Sequence, residues 1–325
     1  MVKSTWRDPA FDHMDIKSVR KIDWRTRWNP QIIIENTTGE LRENAFQTVT
    51  YNSAQEAYVV EKRRIKGMFL ETLELRDFPF DIQDLTVTVT SERAASEVEL
   101  KEDENELHAV SRRSFIDEQE WYLYKFIYTE KKDLVNEYSD PLIRRTALCV
   151  KCQAARRPAY FFWNIFLITF LICSLSFATF AVDRSLPQNR LQLSFTLVLT
   201  SVAFKFVVNQ SLPKISYLTY LDKYVLATLI ILVLVCAWHG LATKIPFGES
   251  GDFIDNFVFF GFLGLYFFFN VVFIIRLYMK PGRKRSIMRK KEKRYMETVK
   301  EHVRLSSIAK QRRGVSVDNV SVTAV

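Results

Sequence analysis

Four apolar segments in the second half of the chain limit its possible folds more than any other feature. Each approaches the roughly 20 residues that a helix needs to cross a bilayer, and the first carries no charge from Tyr160 to Val182. A backbone in lipid must satisfy its own hydrogen bonds, so such segments are expected to be transmembrane helices. We place these helices at about 160–182, 188–209, 221–243 and 255–279.

Residues 1–158 have a different pattern, with many charged residues and short runs rich in apolar and β-branched side chains. Several short strands separated by turns are typical of a β-sandwich. We therefore predict a membrane protein in which a β-sandwich domain (1–158) precedes a four-helix transmembrane bundle (159–279). The expected strands cover 32–34, 46–51, 57–60, 67–75, 85–90, 121–128 and 146–152.

The remaining residues, 280–325, form a basic C-terminal tail. The tail holds 14 Lys and Arg against 4 Asp and Glu, whereas the whole chain carries a net charge of +9. The rest of the chain is therefore nearly neutral and gives no indication of nucleic-acid binding. Positive charge after the last apolar segment favours a cytosolic tail, with 286–309 as a basic helix on anionic lipid. The chain ends in Thr323-Ala324-Val325, which resembles a PDZ-binding terminus.

One face of the second apolar segment changes polarity along its length. At 100° per residue this face runs from polar to apolar and back to polar, while Lys205 lies well off it. A water-filled pore with an apolar constriction needs this arrangement, but small polar residues that pack a helix bundle produce a similar pattern. A pore lined by one helix per subunit requires several copies in a ring. The predicted pore-lining residues are Gln192, Thr196, Leu199, Ala203, Phe206 and Gln210.

Catalytic and cofactor-binding motifs are absent from the sequence, which has no glycine-rich phosphate loop and no nucleophile elbow. Cys149 and Cys152 form a C-x-x-C, but no second pair accompanies them and the four His are scattered. We therefore predict no metal, no cofactor and no enzymatic activity. Asn36-Thr37-Thr38 is a potential N-glycosylation acceptor, which points to a location outside the cell.

An unusually apolar loop, Phe78-Pro79-Phe80-Asp81, precedes one of the predicted strands. Loops are usually polar and face water. This loop is therefore expected to lie against another apolar surface.

Five stretches, spread over nearly the whole chain, resemble subunits of pentameric ligand-gated ion channels, the Cys-loop receptor superfamily. They are WRDP (6–9), WNPQIIIEN (28–36), FPFDIQDL (78–85), RRPAYFFWN (156–164) and NQSLPKISYLTYLDKY (209–224). The resemblance implies a multi-pass protein of the cell membrane, with an extracellular N-terminal domain that binds a small ligand. It also implies a pentameric ring of identical or related subunits. In this family the fourth helix ends outside the cell, in conflict with a cytosolic tail.

The resemblance also assigns roles to single residues. Leu199 becomes the hydrophobic gate of the pore. The apolar loop presses on the turn after the second helix, and Asp81 pairs with Arg156 or Arg157, unless its carboxylate only caps its own turn. The predicted coupling interface comprises Phe78, Pro79, Phe80, Asp81, Arg156, Arg157, Pro213, Lys214 and Tyr217; the candidate ligand-binding residues are Glu35, Phe115 and Tyr138.

The sequence departs from the family pattern at several places. Glu71 and Leu85 occupy the positions of the two cysteines that normally close the signature loop. Only five residues precede Trp6, so we expect an N-terminus that lacks the first strand or strands of the family. The segment from Pro187 to Arg190 matches neither the cation nor the anion pattern of the family, and we expect cations to pass. The alternative is a non-conducting or modulatory subunit, or a scaffold, of the same family.

Overall fold

The computed structural model describes residues 1–12, 23–52, 54–103, 108–112, 115–135, 144–210, 212, 215–244 and 249–312. Apart from short 3₁₀ turns, seven strands precede five helices in this part of the chain. The strands are β1 (Val2–Arg7), β2 (Ile32–Ile34), β3 (Thr37–Tyr51), β4 (Ala57–Phe69), β5 (Ile82–Ser91), β6 (Trp121–Val135) and β7 (Arg144–Arg156). The helices are α1 (Ala159–Ala181), α2 (Pro187–Gln210), α3 (Tyr220–Ala242), α4 (Glu249–Leu277) and α5 (Arg283–Arg312).

The strands form two sheets, with strand orders β1-β4-β3 and β2-β5-β7-β6. The pairs β1–β4, β3–β4 and β2–β5 are antiparallel. Ile65 of the first sheet packs against Ile32, Ile34 and Val89 of the second. Burial of alternate apolar side chains between two sheets is the source of stability in a sandwich. The predicted fold class, a strand-rich sandwich followed by four membrane-length helices, is confirmed.

One predicted strand is wrong. The runs 57–60 and 67–75 belong to a single strand, β4, which ends at Phe69. The register explains the difference, because β4 pairs with β3 along its whole length, from Ala57 opposite Tyr51 to Phe69 opposite Thr37. A period-2 pattern locates strand residues but does not show where the partner strand ends.

The four predicted transmembrane segments correspond to α1 to α4, which are long and apolar enough to cross a membrane. Helix α1 contains a π turn at Phe162–Phe166 and ends in a 3₁₀ turn at Ser176–Ala181. After α4, a π turn at Tyr278–Gly282 leads directly into α5. The basic tail therefore begins as a helix that continues the last membrane-length segment.

The chain divides into two compact units. The first comprises Met1–Thr72, Asp84–His108 and Ile127–Cys152, and the second comprises Leu73–Gln83, Ala109–Phe126 and the chain from Gln153. The apolar loop and all five helices thus belong to the second unit. Its core includes a cluster of Leu75, Phe78, Ile165, Phe166, Val208, Leu221, Tyr224 and Val225.

Asn36, the predicted glycosylation acceptor, has a structural role. Its side-chain amide donates to the carbonyl oxygens of Leu70 (3.1 Å) and Thr86 (2.8 Å), and its Oδ1 accepts from the Thr88 amide (2.9 Å). Both donors of the amide are therefore used to join strand ends, so this nitrogen is not free to carry a glycan.

We expect Asn36→Ala to lower the free energy of unfolding by about 1–3 kcal/mol, because it leaves partly buried backbone groups unpaired. Thr38→Ala is the matched control, since Thr38 is exposed and its loss removes the glycosylation triplet without touching Asn36. Thermal unfolding of the purified protein measures both changes. Equal destabilisation by Thr38→Ala, with a loss of mass on glycosidase treatment of the parent, would contradict the structural role.

Candidate pore helix and coupling node

One side of α2 is buried against the rest of the bundle. Its buried residues are Arg190, Ser194, Ser201 and Val208. At 100° per residue these four fall within about 40° of one another. The two serines are small and allow close approach of the neighbouring helices. This seam fixes which face of α2 the bundle leaves open.

All six predicted pore-lining residues lie on the opposite face of α2, and all six are exposed. Leu199 and Phe206 are 70% and 65% exposed. The Thr196 hydroxyl donates to the Gln192 carbonyl oxygen (2.8 Å). Within the described residues the Gln192 and Gln210 amides have no hydrogen-bond partner, so an outside partner or water must satisfy them.

The end of α2 near Arg190 is held by a buried network that sequence reasoning missed. The Arg190 guanidinium donates to Asp255 (2.8 Å) and to the carbonyl oxygens of Val182 (2.7 Å) and Phe180 (3.1 Å). The second carboxylate oxygen of Asp255 accepts from the Trp238 indole (2.9 Å). The sequence does contain a signal for this network, because Arg190 and Asp255 place opposite charges within apolar segments. Such charges are costly unless they pair.

The short loop between α1 and α2 exposes one carboxylate. Asp183 Oδ1 accepts a hydrogen bond from the Ser185 amide (2.9 Å), and this bond lowers the pKa of Asp183. Arg184, the next residue, lies 3.4 Å from Asp252 instead. This loop thus presents an ionised carboxylate beside the start of α2.

The apolar loop packs mainly on α1, a partner that the sequence did not indicate. Phe78 is buried and meets Phe161 edge to face, with ring centroids 4.7 Å apart. Phe80 lies 6.2 Å from Phe166 by the same measure. Pro79 is fully buried. The expectation that the loop lies on an apolar surface is met by aromatic side chains at the start of α1.

The turn after α2 also reaches this loop. The Leu75 amide donates to the Tyr217 hydroxyl (2.9 Å), and Leu212 and Ile215 pack against the cluster that contains Phe78. Pro213 and Lys214, two further predicted residues of the interface, lie outside the described residues. Their contribution to coupling stays a prediction.

Asp81 pairs with Arg156, so the structure selects one of the two predicted partners. The Arg156 Nε lies 3.0 Å from Asp81 Oδ1, and Gln83 donates to Asp81 Oδ2 (2.6 Å). The Arg156 guanidinium also lies over the Trp121 ring, 4.1 Å from its centroid. Arg157 is exposed, and its backbone amide donates to Glu120. The carboxylate therefore anchors the loop to the end of β7 and does more than cap its own turn.

Hydrogen bonds close the base of the loop. Gln83, which is buried, accepts from the Glu74 amide (3.2 Å) and donates to the Glu74 carbonyl oxygen (2.9 Å). Glu71 accepts from the Thr86 amide (2.9 Å), next to Leu85. Glu71 is thus linked through its carboxylate to the backbone amide that follows Leu85.

The candidate ligand residues are only partly visible. Glu35 is exposed at the end of β2, and Phe115 is half-buried. Tyr138 lies outside the described residues. All three stay predictions.

Comparison with known proteins adds a relationship in sequence. No family model matches the chain. A gamma-aminobutyric acid receptor subunit beta of Caenorhabditis elegans is 30% identical over 224 residues, or 62% of this chain and 40% of the relative. Gamma-aminobutyric acid receptor subunits gamma-3 of Mus musculus and Rattus norvegicus are each 24% identical over 154 residues, or 47% of this chain and 32% of the relative. The chain spans less than half the length of these curated relatives.

The fold and these relatives agree on the class of protein. A strand-rich region followed by four helices of membrane length defines a multi-pass membrane protein. Its homologues are receptor subunits of the pentameric Cys-loop superfamily, at modest identity.

Removal of Arg156 should destabilise the second unit, because a buried carboxylate loses its cation. Loss of one partner of a buried pair costs about 3–5 kcal/mol, and the Asp81 side chain is only 2% exposed. We expect Arg156→Ala to lower the melting temperature and the yield at the cell surface. Arg157→Ala is the control, and an equal effect of the two substitutions would contradict the assignment.

Proposed function

We propose that the chain is a subunit of a pentameric ligand-gated ion channel and that α2 lines its pore. The observation that carries the proposal is the exposed face of α2, on which polar groups flank Leu199 and Phe206. Among the described residues no other helix satisfies the Gln192 and Gln210 amides, and the hydrocarbon of a bilayer cannot bond to them. A ring of subunits around water satisfies them, and this arrangement also gives the apolar residues a place at the constriction.

The pore is closed, in this proposal, by dewetting at Leu199. A narrow apolar ring is unfavourable for water and ions although no side chain blocks it sterically. Residues 1–158 form the extracellular ligand-binding domain and residues 159–279 the membrane domain. The subunits of the ring are identical or related chains.

Transmission to the pore runs through the apolar loop. Phe78, Phe80 and the Asp81–Arg156 pair join strands β5 and β7 to α1, and Tyr217 joins the loop to the turn after α2. A displacement of either strand would therefore reach the pore helix. The relatives are named for gamma-aminobutyric acid, which makes this amino acid the first candidate ligand to apply.

Leu199→Thr should open the channel without ligand, because a hydroxyl at the constriction favours water. Voltage-clamp recording in oocytes should show a standing current well above that of the parent. Leu193→Thr is the matched control: Leu193 is also exposed on α2 but lies about 120° away. It should leave the resting current unchanged.

Two results would contradict the proposal. One is the absence of current in Leu199→Thr despite surface labelling, alone and with a related subunit; this would favour the non-conducting alternative. The other is an equal current in Leu193→Thr, which would place the pore elsewhere.

The preference for cations stays a prediction and is separate from the channel proposal. The Asp183 carboxylate is held ionised by the Ser185 amide, and a ring of carboxylates at one mouth attracts cations. In the Leu199→Thr background, we expect Asp183→Asn to move the reversal potential towards the anion equilibrium potential. A standing current that already reverses at the anion potential would show that the expected selectivity is wrong.

A further inference from the structure

The free edge of β6 is covered by an ion pair in place of a strand. β6 is the last strand in the order β2-β5-β7-β6, so among the described residues one of its edges has no strand beside it. On that edge the Leu123 carbonyl oxygen accepts from Arg112 Nε (2.7 Å), and the Lys125 amide donates to Glu292 Oε1 (3.1 Å). Residues two apart present their backbone groups to the same edge. Two side chains therefore satisfy groups that a neighbouring strand would otherwise bind.

Glu292 belongs to α5, so this ion pair also fixes the helix to the strand. Arg112 Nη2 lies 2.6 Å from Glu292 Oε1, and the Tyr122 hydroxyl donates to Oε2 (2.9 Å). The Arg112 guanidinium also lies over the Tyr122 ring, 4.4 Å from its centroid. Both oxygens of a nearly buried carboxylate are thus occupied, which is unlike a typical solvated charge on a basic helix.

A second contact of α5 involves the residues that hold the apolar loop. Arg285 precedes Glu292 by seven residues, so the two lie on the same face of the helix. Its guanidinium donates to the Arg156 carbonyl oxygen (2.5 Å) and lies 5.9 Å from the Phe80 ring centroid. One face of α5 therefore contacts both β6 and the residues that hold the apolar loop.

We propose that α5 is a regulatory helix, docked on the edge of β6 by the Arg112–Glu292 pair. Its docking sets how readily the apolar loop moves. Glu292 is a positioning residue in this account, which rests on the channel function proposed above for its effect on gating. The docking itself does not depend on that function.

Hydrogen exchange of the purified full-length protein tests the docking. Glu292→Gln removes the charge but keeps the size of the side chain, and we expect the Lys125 amide to exchange about tenfold faster or more, because a charge-assisted bond is lost. Glu297→Gln is the matched control, since Glu297 is exposed on the same helix. Glu292→Asp should restore part of the protection. Equal exchange of the Lys125 amide in the two glutamine variants would overturn the docking. If Glu292→Gln does not fold, fast exchange of the Lys125 amide in Glu292→Asp would overturn it as well.

Standing current in the Leu199→Thr background tests the regulation. Glu292→Gln should change the standing current by about twofold or more relative to Glu297→Gln at equal surface expression. An unchanged current beside altered exchange would overturn the regulatory role and leave the docking in place. If every variant that carries Leu199→Thr lacks current, but the Lys125 amide exchanges faster in Glu292→Gln than in Glu297→Gln, the channel proposal fails and the docking stands.

Discussion

A helix that crosses a membrane must provide partners for its polar side chains, and α2 does not provide them all. Gln192 and Gln210 are exposed and have no partner among the described residues, while Ser194 and Ser201 lie in the seam that faces the bundle. Lipid cannot hydrogen-bond to these amides. The order of polar, apolar and polar residues on the open face fits the pore-lining role proposed for this helix. The proposed pore would need several copies in a ring, because the described bundle exposes only one such face.

The two ends of α2 are held differently. At one end, the buried Arg190 side chain connects α2 to Asp255 of α4 and to the Phe180 carbonyl oxygen of α1. Asp255 also accepts a hydrogen bond from Trp238 of α3. At the other end, Val208 belongs to the apolar cluster that contains Phe78 of the loop. One end is thus held by a charged pair and the other by packing against the apolar loop. The Asp81–Arg156 pair keeps that element attached, and Gln83 and Trp121 offset part of the cost of burying the two charges.

Local patterns in the sequence predicted the features that depend on period and length. The membrane-length segments, the open face of α2 and the apolar character of the loop follow from spacing within a few turns of chain. Arg156 was one of two adjacent candidates, and spacing alone does not separate them. Tertiary contacts determine which arginine pairs with Asp81, because Arg156 lies over Trp121 whereas Arg157 is exposed.

Long-range pairs were beyond such patterns. Arg190 meets Asp255 across 65 residues, and Arg112 meets Glu292 across 180. A charge in an apolar segment indicates that a partner exists but not which one it is. The same holds for the Glu71–Thr86 bond, which uses a backbone amide that carries no sequence signal.

Cysteine accessibility along α2 tests the central claim, that one face of this helix borders water in the assembled protein. Single cysteines would be placed at the six open-face positions and at Ser194, Ser201 and Val208, and treated in intact cells with a charged thiol reagent. The native cysteines are buried or half-buried, and labelling of the parent gives the background. The account predicts modification at the open-face positions and protection at the other three. Two results would contradict this prediction. One is modification that depends only on position along the helix and not on its face. The other is protection of cysteines at positions 199 and 206 together with labelling at position 201.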